Sequence, residues 1–251
     1  MQTDRVRKSP KQYIGLMVTS EFTTGQKALA WGVHIFTATG LLAGFMALLA
    51  VQAHDWRTAM FWLIAALAID GIDGTFARMF RVKEVLPRID GKLIDNVIDF
   101  VNYALIPAYM FYEAGLVPEG WDLALTFVIL LVSALYYGRE GMISDDHYFI
   151  GFPVMWNMVL FYYLFVTDFP PAAYIVLTLF FAVLHFVPVK FAYPSRNARF
   201  RIPTIVVTVV FMATMIGLVY GYPERPVWLV ASAYGSAAYF GVLAAYATWV
   251  E

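Results

Sequence analysis

Asp70-Gly-Ile-Asp73-Gly74-Thr-Phe-Ala77-Arg78, twelve further residues, then Gly91-Lys-Leu-Ile-Asp95-Asn-Val-Ile-Asp99 is the stretch that organises this chain. It sets four acids and an arginine in apolar flanks. Asp70 and Asp73 are three apart and Asp95 and Asp99 four apart, so each pair occupies one face of a helix. A carboxylate surrounded by hydrocarbon costs a few kcal/mol or more, and four together call for a compensating partner. Carboxylate oxygens suit a hard divalent cation. Two helices meeting across a short connection could close an oxygen cage around one or two such ions.

Working outward, both flanks are lipid-like. The 251 residues are 61% hydrophobic and 14% charged, with mean hydropathy +0.67. This composition predicts an all-α, polytopic membrane bundle at 27–251, preceded by an interfacial segment at 1–26. Eight apolar spans are expected, at 28–53, 58–80, 91–115, 121–138, 150–167, 172–189, 203–221 and 227–250. Placing the N-terminus in the cytoplasm puts fifteen Lys and Arg on the inner side and leaves only Arg57 and Arg225 outside. The positive-inside rule favours that orientation. Trp56, Trp121 and Trp228 then fall at interfacial depth. There is no cysteine, which excludes disulfides and thiolate metal sites. The net charge of −1 carries no argument for a nucleic-acid partner, and none is expected.

Residues 1–26 are too polar for a signal peptide; Lys8, Lys11 and Tyr13-Ile14-Gly15-Leu16-Met17 read as a segment held against anionic headgroups or as a solvated basic tail. In the last span Ala233, Ala237, Gly241 and Ala245 form a small-residue stripe suited to close helix approach, within the bundle or between subunits. The acids lie at the cytoplasmic ends of the second and third spans. With a rise of about 1.5 Å per residue, Asp99 sits roughly 12 Å along its helix from Gly91, just below the headgroup plane. Around them, Gly74 and Ala77 carry minimal side chains that let a nucleotide approach the backbone, and Arg78 can clamp a phosphate. The alternative without chemistry is an ion-paired helix junction, Asp70 or Asp73 bridged to Arg78 or Arg81.

These residues resemble the signature of the CDP-alcohol phosphotransferase family, D-x2-D-G-x2-A-R-x8-G-x3-D-x3-D, matched at Asp70, Asp73, Gly74, Ala77, Arg78, Gly91, Asp95 and Asp99. The one departure is a spacer of twelve residues rather than eight, with the four extra residues placed in Val82–Asp90. That spacer, and eight spans rather than six, resemble the bacterial branch that uses choline as acceptor. The resemblance implies that CDP-diacylglycerol and choline give phosphatidylcholine and CMP in a multi-pass inner-membrane homodimer whose site faces the cytoplasm. It implies Mn²⁺ or Mg²⁺, as two ions, held by Asp70, Asp73 and Asp95, with Asp99 both touching metal and acting as general base. Gly74, Ala77 and Arg78 would hold the nucleotide. The family's Pro-Asn pair in the first span is absent; His34-Ile-Phe-Thr37-Ala-Thr39-Gly40 stands there, and Thr37 is expected to face the nucleotide.

A quaternary ammonium has no proton to donate, so its recognition needs aromatic faces and nearby negative charge. Tyr148, Phe149 and Trp156 are candidate walls, with Glu140, Asp145 or Asp146 as counter-charge; bilayer packing and plain solvation are the alternatives for these side chains. The Phe149-x-Gly151-x-Pro153 run resembles one in relatives that use small amino alcohols. Arg196, Arg199 and Arg201 form a basic loop that could attract the lipid diphosphate or simply anchor topology. His34 and His185 are expected to be satisfied packing residues, and Glu113 to be solvated near Glu119. The rival readings are a relative using serine or glycerol phosphate, and a cation transporter with acids along its pathway.

Overall fold

The computed structural model describes residues 22–146, 148–193 and 200–250. Arg196, Arg199 and most of the 1–26 segment lie outside these residues. Local capping chemistry sets the first helix starts. Thr23 opens α1 (Thr24–Gln52) with a capping box: its hydroxyl accepts from the Gln26 N–H at 3.2 Å, and Gln26 Oε1 accepts from the Thr23 N–H at 2.8 Å. Asp55 caps α2 (Trp56–Met79) by accepting from the Thr58 N–H at 3.0 Å. After the short turn α3 (Val82–Val85), Asp90 accepts from the Lys92 and Leu93 N–H groups, both at 3.1 Å, and starts α4 (Gly91–Phe100).

Helix α4 runs on through a π-helical turn, Val101–Leu105, into α5 (Ile106–Glu113). Pro107 has no N–H for the Tyr103 carbonyl, and the Ile106 N–H reaches back five residues to Val101, which widens the turn. Then come α6 (Trp121–Tyr137), α7 (Trp156–Phe161) with its own π-turn at Tyr162–Val166, α8 (Pro171–Leu184), α9 (Arg201–Gly221) and α10 (Val227–Trp249). Among the described residues, a helical rod lies in each of the expected apolar stretches. Helices α1, α2, α9 and α10 are long and apolar enough to cross a membrane, and the chain is an all-α polytopic membrane protein.

Two rods are shorter than their apolar runs. The expected spans 150–167 and 172–189 become helix only at 156–166 and 171–184. The ends towards Ile150 and Lys190 instead pair as a small antiparallel ribbon, β1 (Tyr148–Ile150) with β2 (Lys190–Ala192). Pro153 and Pro188 interrupt helix here, and the freed backbone groups find partners within the protein. The Gly151 N–H donates to Val189 O at 2.8 Å, and the Phe152 N–H to Leu184 O at 2.9 Å. Gly151 has φ +85°, and a β-carbon there would run into the His185 carbonyl.

Because lipid is as apolar as a leucine side chain, helix association rests on close packing and inter-helix hydrogen bonds. Trp156, Phe111, Phe161, Phe165 and Met60 are fully buried in the main core. Arg225 donates from Nη1 to Thr167 O at 2.9 Å and from Nη2 to Leu164 O at 3.0 Å, tying the end of the second π-turn to the α9–α10 connection. The Tyr162 hydroxyl donates to Ala233 O at 2.7 Å. The small-residue stripe of α10 is therefore divided: Ala233 is buried in the bundle, while Ala237 and Gly241 are exposed.

Candidate active site

Asp70 and Asp73 lie on the last turns of α2, and Asp95 and Asp99 on α4. Helix α1 supplies the third wall. Its Gly40-x-x-x-Gly44 pair admits α4 closely: a β-carbon on Gly40 would sit 3.1 Å from Ile98 Cγ2, and one on Gly44 would collide with Asn102 Oδ1. Asn102 uses that proximity, donating from Nδ2 to Gly40 O at 3.1 Å. Gly91, at the start of α4, meets the His34 ring in the same way, with Cε1 3.0 Å from where a β-carbon would stand.

In this frame Asp70, Asp95 and Asp99 each present one carboxylate oxygen, and the three oxygens lie within 4.8 Å of one another. Ligands of an octahedral ion at about 2.0–2.1 Å stand roughly 3–4 Å apart, so small side-chain adjustments fit the trio to a hard divalent cation. Asp73 completes the same open depression but is turned towards Thr37, which also lines it. Only 6% of Asp73 is exposed, whereas the other three acids are half-buried. The Tyr103 hydroxyl donates to Asp70 Oδ2 at 2.9 Å.

No salt bridge joins Asp70, Asp73 or Asp99 to a basic side chain among the described residues. Arg78 donates to Thr75 Oγ1 at 3.1 Å, and Arg81 pairs with Glu84. An ion-paired helix junction is thus not what gathers these acids. Arg78 folds back over Gly74, its Nη1 3.4 Å from the place of a β-carbon. Ala77 instead packs with the second apolar cluster, where Val82 and Val85 of the long spacer bury against Ala30 and Val33 of α1. The extra spacer residues therefore brace α1 without displacing the acids.

The residues considered for an ammonium group lie elsewhere, in and beside the β1–β2 ribbon, and none lines the acid depression. Glu140 and Asp145 are exposed. Lys190 Nζ donates to Asp146 Oδ2 at 2.7 Å, holding that carboxyl below the usual carboxylate range, and stands 5.5 Å from the Tyr148 ring centroid. Phe149 stacks on Tyr193 with centroids 4.7 Å apart. Trp156 is sealed, stacked on His185 at 5.3 Å and donating from Nε1 to Ser133 Oγ at 2.9 Å. Arg201, at the start of α9, is exposed.

The His34 and His185 rings are less fully satisfied than expected among the described residues. His185 Nδ1 meets Phe181 O at 2.6 Å, but its Nε2 and that of His34 are buried without a partner. Glu113 lies 3.9 Å from His54 Nε2 rather than free in solvent. Tyr103, Asn102, Asp90 and Gly44 also shape the site without figuring in the sequence reading. The Gly40-x-x-x-Gly44 spacing and the Asp90-Gly91 helix start were legible signals for two of them; the reach of Tyr103 to Asp70 was not.

No family model matches the chain. Curated relatives do. It is 38% identical over 216 residues to the phosphatidylcholine synthase of Rhizobium johnstonii, covering 86% of this chain and 89% of that protein. It is 36% identical over 214 residues to that of Rhizobium meliloti, covering 85% and 88%. The chain belongs to the phosphatidylcholine synthase family. Its similarity to the Pseudomonas aeruginosa phosphatidylcholine synthase is 38% over 222 residues, covering 86% of this chain and 93% of the relative. Membership of the phosphatidylcholine synthase family agrees with the branch indicated by the twelve-residue spacer, and the matches extend that likeness from the 30-residue motif to most of the sequence.

Proposed function

We propose that this chain is an enzyme that transfers the phosphatidyl group of CDP-diacylglycerol to choline and releases CMP. The observation that carries the reading is the convergence of Asp70, Asp95 and Asp99 within 4.8 Å in a relative of phosphatidylcholine synthases. Asp70, Asp73, Asp95 and Asp99 would hold Mn²⁺ or Mg²⁺, as two ions. When bound, such ions supply positive charge to the diphosphate oxygens of the nucleotide-activated lipid. Asp99 accepts the proton of the choline hydroxyl. The choline oxygen then forms a bond to the phosphorus that carries diacylglycerol, as the bond from that phosphorus to the CMP oxygen breaks. Gly74, Ala77, Arg78 and Thr37 would line the nucleotide, with Arg78 offering a guanidinium to its phosphates.

The half-open setting of the acids suits a headgroup reaction at the membrane surface. The basic residues of α2 and the spacer (Arg78, Arg81, Lys83 and Arg88) flank this end of the bundle, which supports a cytoplasm-facing site in a bacterial inner membrane. Eight membrane crossings, the 1–26 and 27–251 division and a homodimer complete the proposal. Choline contacts are assigned to Glu140, Asp145, Asp146, Tyr148 and Phe149, the fully buried Trp156 having no open face for an ammonium, and diphosphate attraction to Arg196, Arg199 and Arg201.

The test is purified protein in liposomes with CDP-diacylglycerol, divalent metal and labelled choline, serine or glycerol phosphate. Choline incorporation with equimolar CMP is expected. Incorporation of serine or glycerol phosphate but not choline would reassign the acceptor, and cation flux without lipid product would replace the enzyme by a transporter.

A further inference from the structure

We propose that Tyr103 is a positioning residue that holds Asp70 in its metal-binding orientation by a hydrogen bond from the π-turn after α4 to the end of α2. Its hydroxyl donates to Asp70 Oδ2 at 2.9 Å, between residues 33 apart in sequence. A carboxylate has two oxygens and about four lone-pair positions, so one accepted hydrogen bond leaves ample capacity for a cation. The bond removes the rotational freedom of a short side chain on which the shape of the oxygen cluster depends.

The position of Tyr103 is unusually well determined. It lies four residues beyond Asp99, on the face of the rod that bears Asp95 and Asp99. It belongs to the π-helical turn that Pro107 induces, and only 6% of its surface is exposed. Its neighbour Asn102 is tied to α1 through Gly40 O at 3.1 Å, with Gly44 leaving room for the amide. Two consecutive residues of one wide turn thus anchor α4 to α1 and to the Asp70 carboxylate of α2. Hydrogen-bonded partners of metal-binding carboxylates orient them, and their loss typically costs roughly 10–100-fold in metal affinity.

The inference rests on the reading of the acids as a divalent-metal site, and the test separates the two. Mn²⁺ binding to the detergent-purified full chain is measured by the loss of the free-ion electron paramagnetic resonance signal, without substrates. The comparison includes wild type, Tyr103→Phe, Tyr103→His, Asp70→Ala and the Asp70→Ala/Tyr103→Phe double variant. Tyr103→Phe is expected to raise the Mn²⁺ Kd about tenfold. Tyr103→His, which keeps a ring donor, should recover part of that loss. In the Asp70→Ala background, where no side-chain acceptor remains, Tyr103→Phe should change Kd by less than about twofold, because a residue acting through Asp70 is silent once Asp70 is removed, whereas a general packing defect would add. Tyr103→Leu, also without a donor, takes the place of Tyr103→Phe should the latter not be recovered folded. A donor-free variant that binds Mn²⁺ within twofold of wild type would overturn the role of Tyr103. Absence of Mn²⁺ binding by the wild type would overturn the metal-site reading itself.

Discussion

The acid-bearing wall formed by α1, α2 and α4 and the region around α7, α8 and the β1–β2 ribbon are built on different principles. In the first, long or capped helices carry functional side chains at fixed phase, and small residues at Gly40 and Gly44 let the rods touch. A spacing of three or four residues then translates directly into a shared face. In the second, helices stop short, backbone is paired across a ribbon, and aromatic rings fill the gaps. There the chain position of an aromatic residue says little about what it faces. Trp156 illustrates this: its ring is sealed against His185 rather than presented to a ligand.

The largest loss of function is expected at the acids. Asp99→Asn should lower kcat by about 10³-fold, within the range by which a positioned general base contributes, and, because Asp99 is one of the three convergent acids, should weaken Mn²⁺ binding as well. Turnover near the wild-type rate, measured as CMP release, would remove Asp99 from its assigned role.

Next in size is the helix contact. Gly44→Val pushes a branched side chain into Asn102 and should destabilise the bundle by about 1–3 kcal/mol, with loss of activity as α4 moves. A denaturation midpoint in detergent unchanged from wild type would mean that α1 and α4 are not held as closely as Gly44 allows. By contrast, Arg225→Ala leaves two buried carbonyls without their donor at the far end of the second region. It should cost about 1–3 kcal/mol of stability, yet leave the choline KM and the Mn²⁺ requirement untouched in the folded fraction.

The smallest expected effect sharpens the second region. Lys190 already places an ammonium against Asp146 and Tyr148. If those groups receive choline, Lys190→Ala vacates them and should lower the choline KM about two- to fivefold, the equivalent of 0.5–1 kcal/mol for a partly exposed cation–aromatic contact. An unchanged KM would mark the Asp146–Lys190 pair as scaffold only.

Much of the first region was legible in the sequence. Asp70, Asp95 and Asp99 come together, as two short-spaced pairs on neighbouring helices allow, and Thr37, expected to face a nucleotide, lines the same depression. The longer spacer is accommodated in a way hydropathy does not reveal: Val82 and Val85 bury against α1. The second region was less legible because hydropathy reports burial and not backbone conformation. Apolar runs at 150–167 and 172–189 looked like whole spans, but their ends are satisfied by a ribbon that forms only when two segments 40 residues apart meet.

Composition and helical periodicity are local properties, and the membrane class and the identity of the acids follow from them alone. Only the tertiary structure decided that Asp73 turns to Thr37, that Tyr103 reaches Asp70 and that Lys190 occupies the Asp146–Tyr148 pair. Each of these depends on the distance between segments remote in the chain. Around the acids, close backbone approach at Gly40, Gly44 and Gly91 brings α1 and α4 together; in the ribbon, strand pairing brings Lys190 to Tyr148.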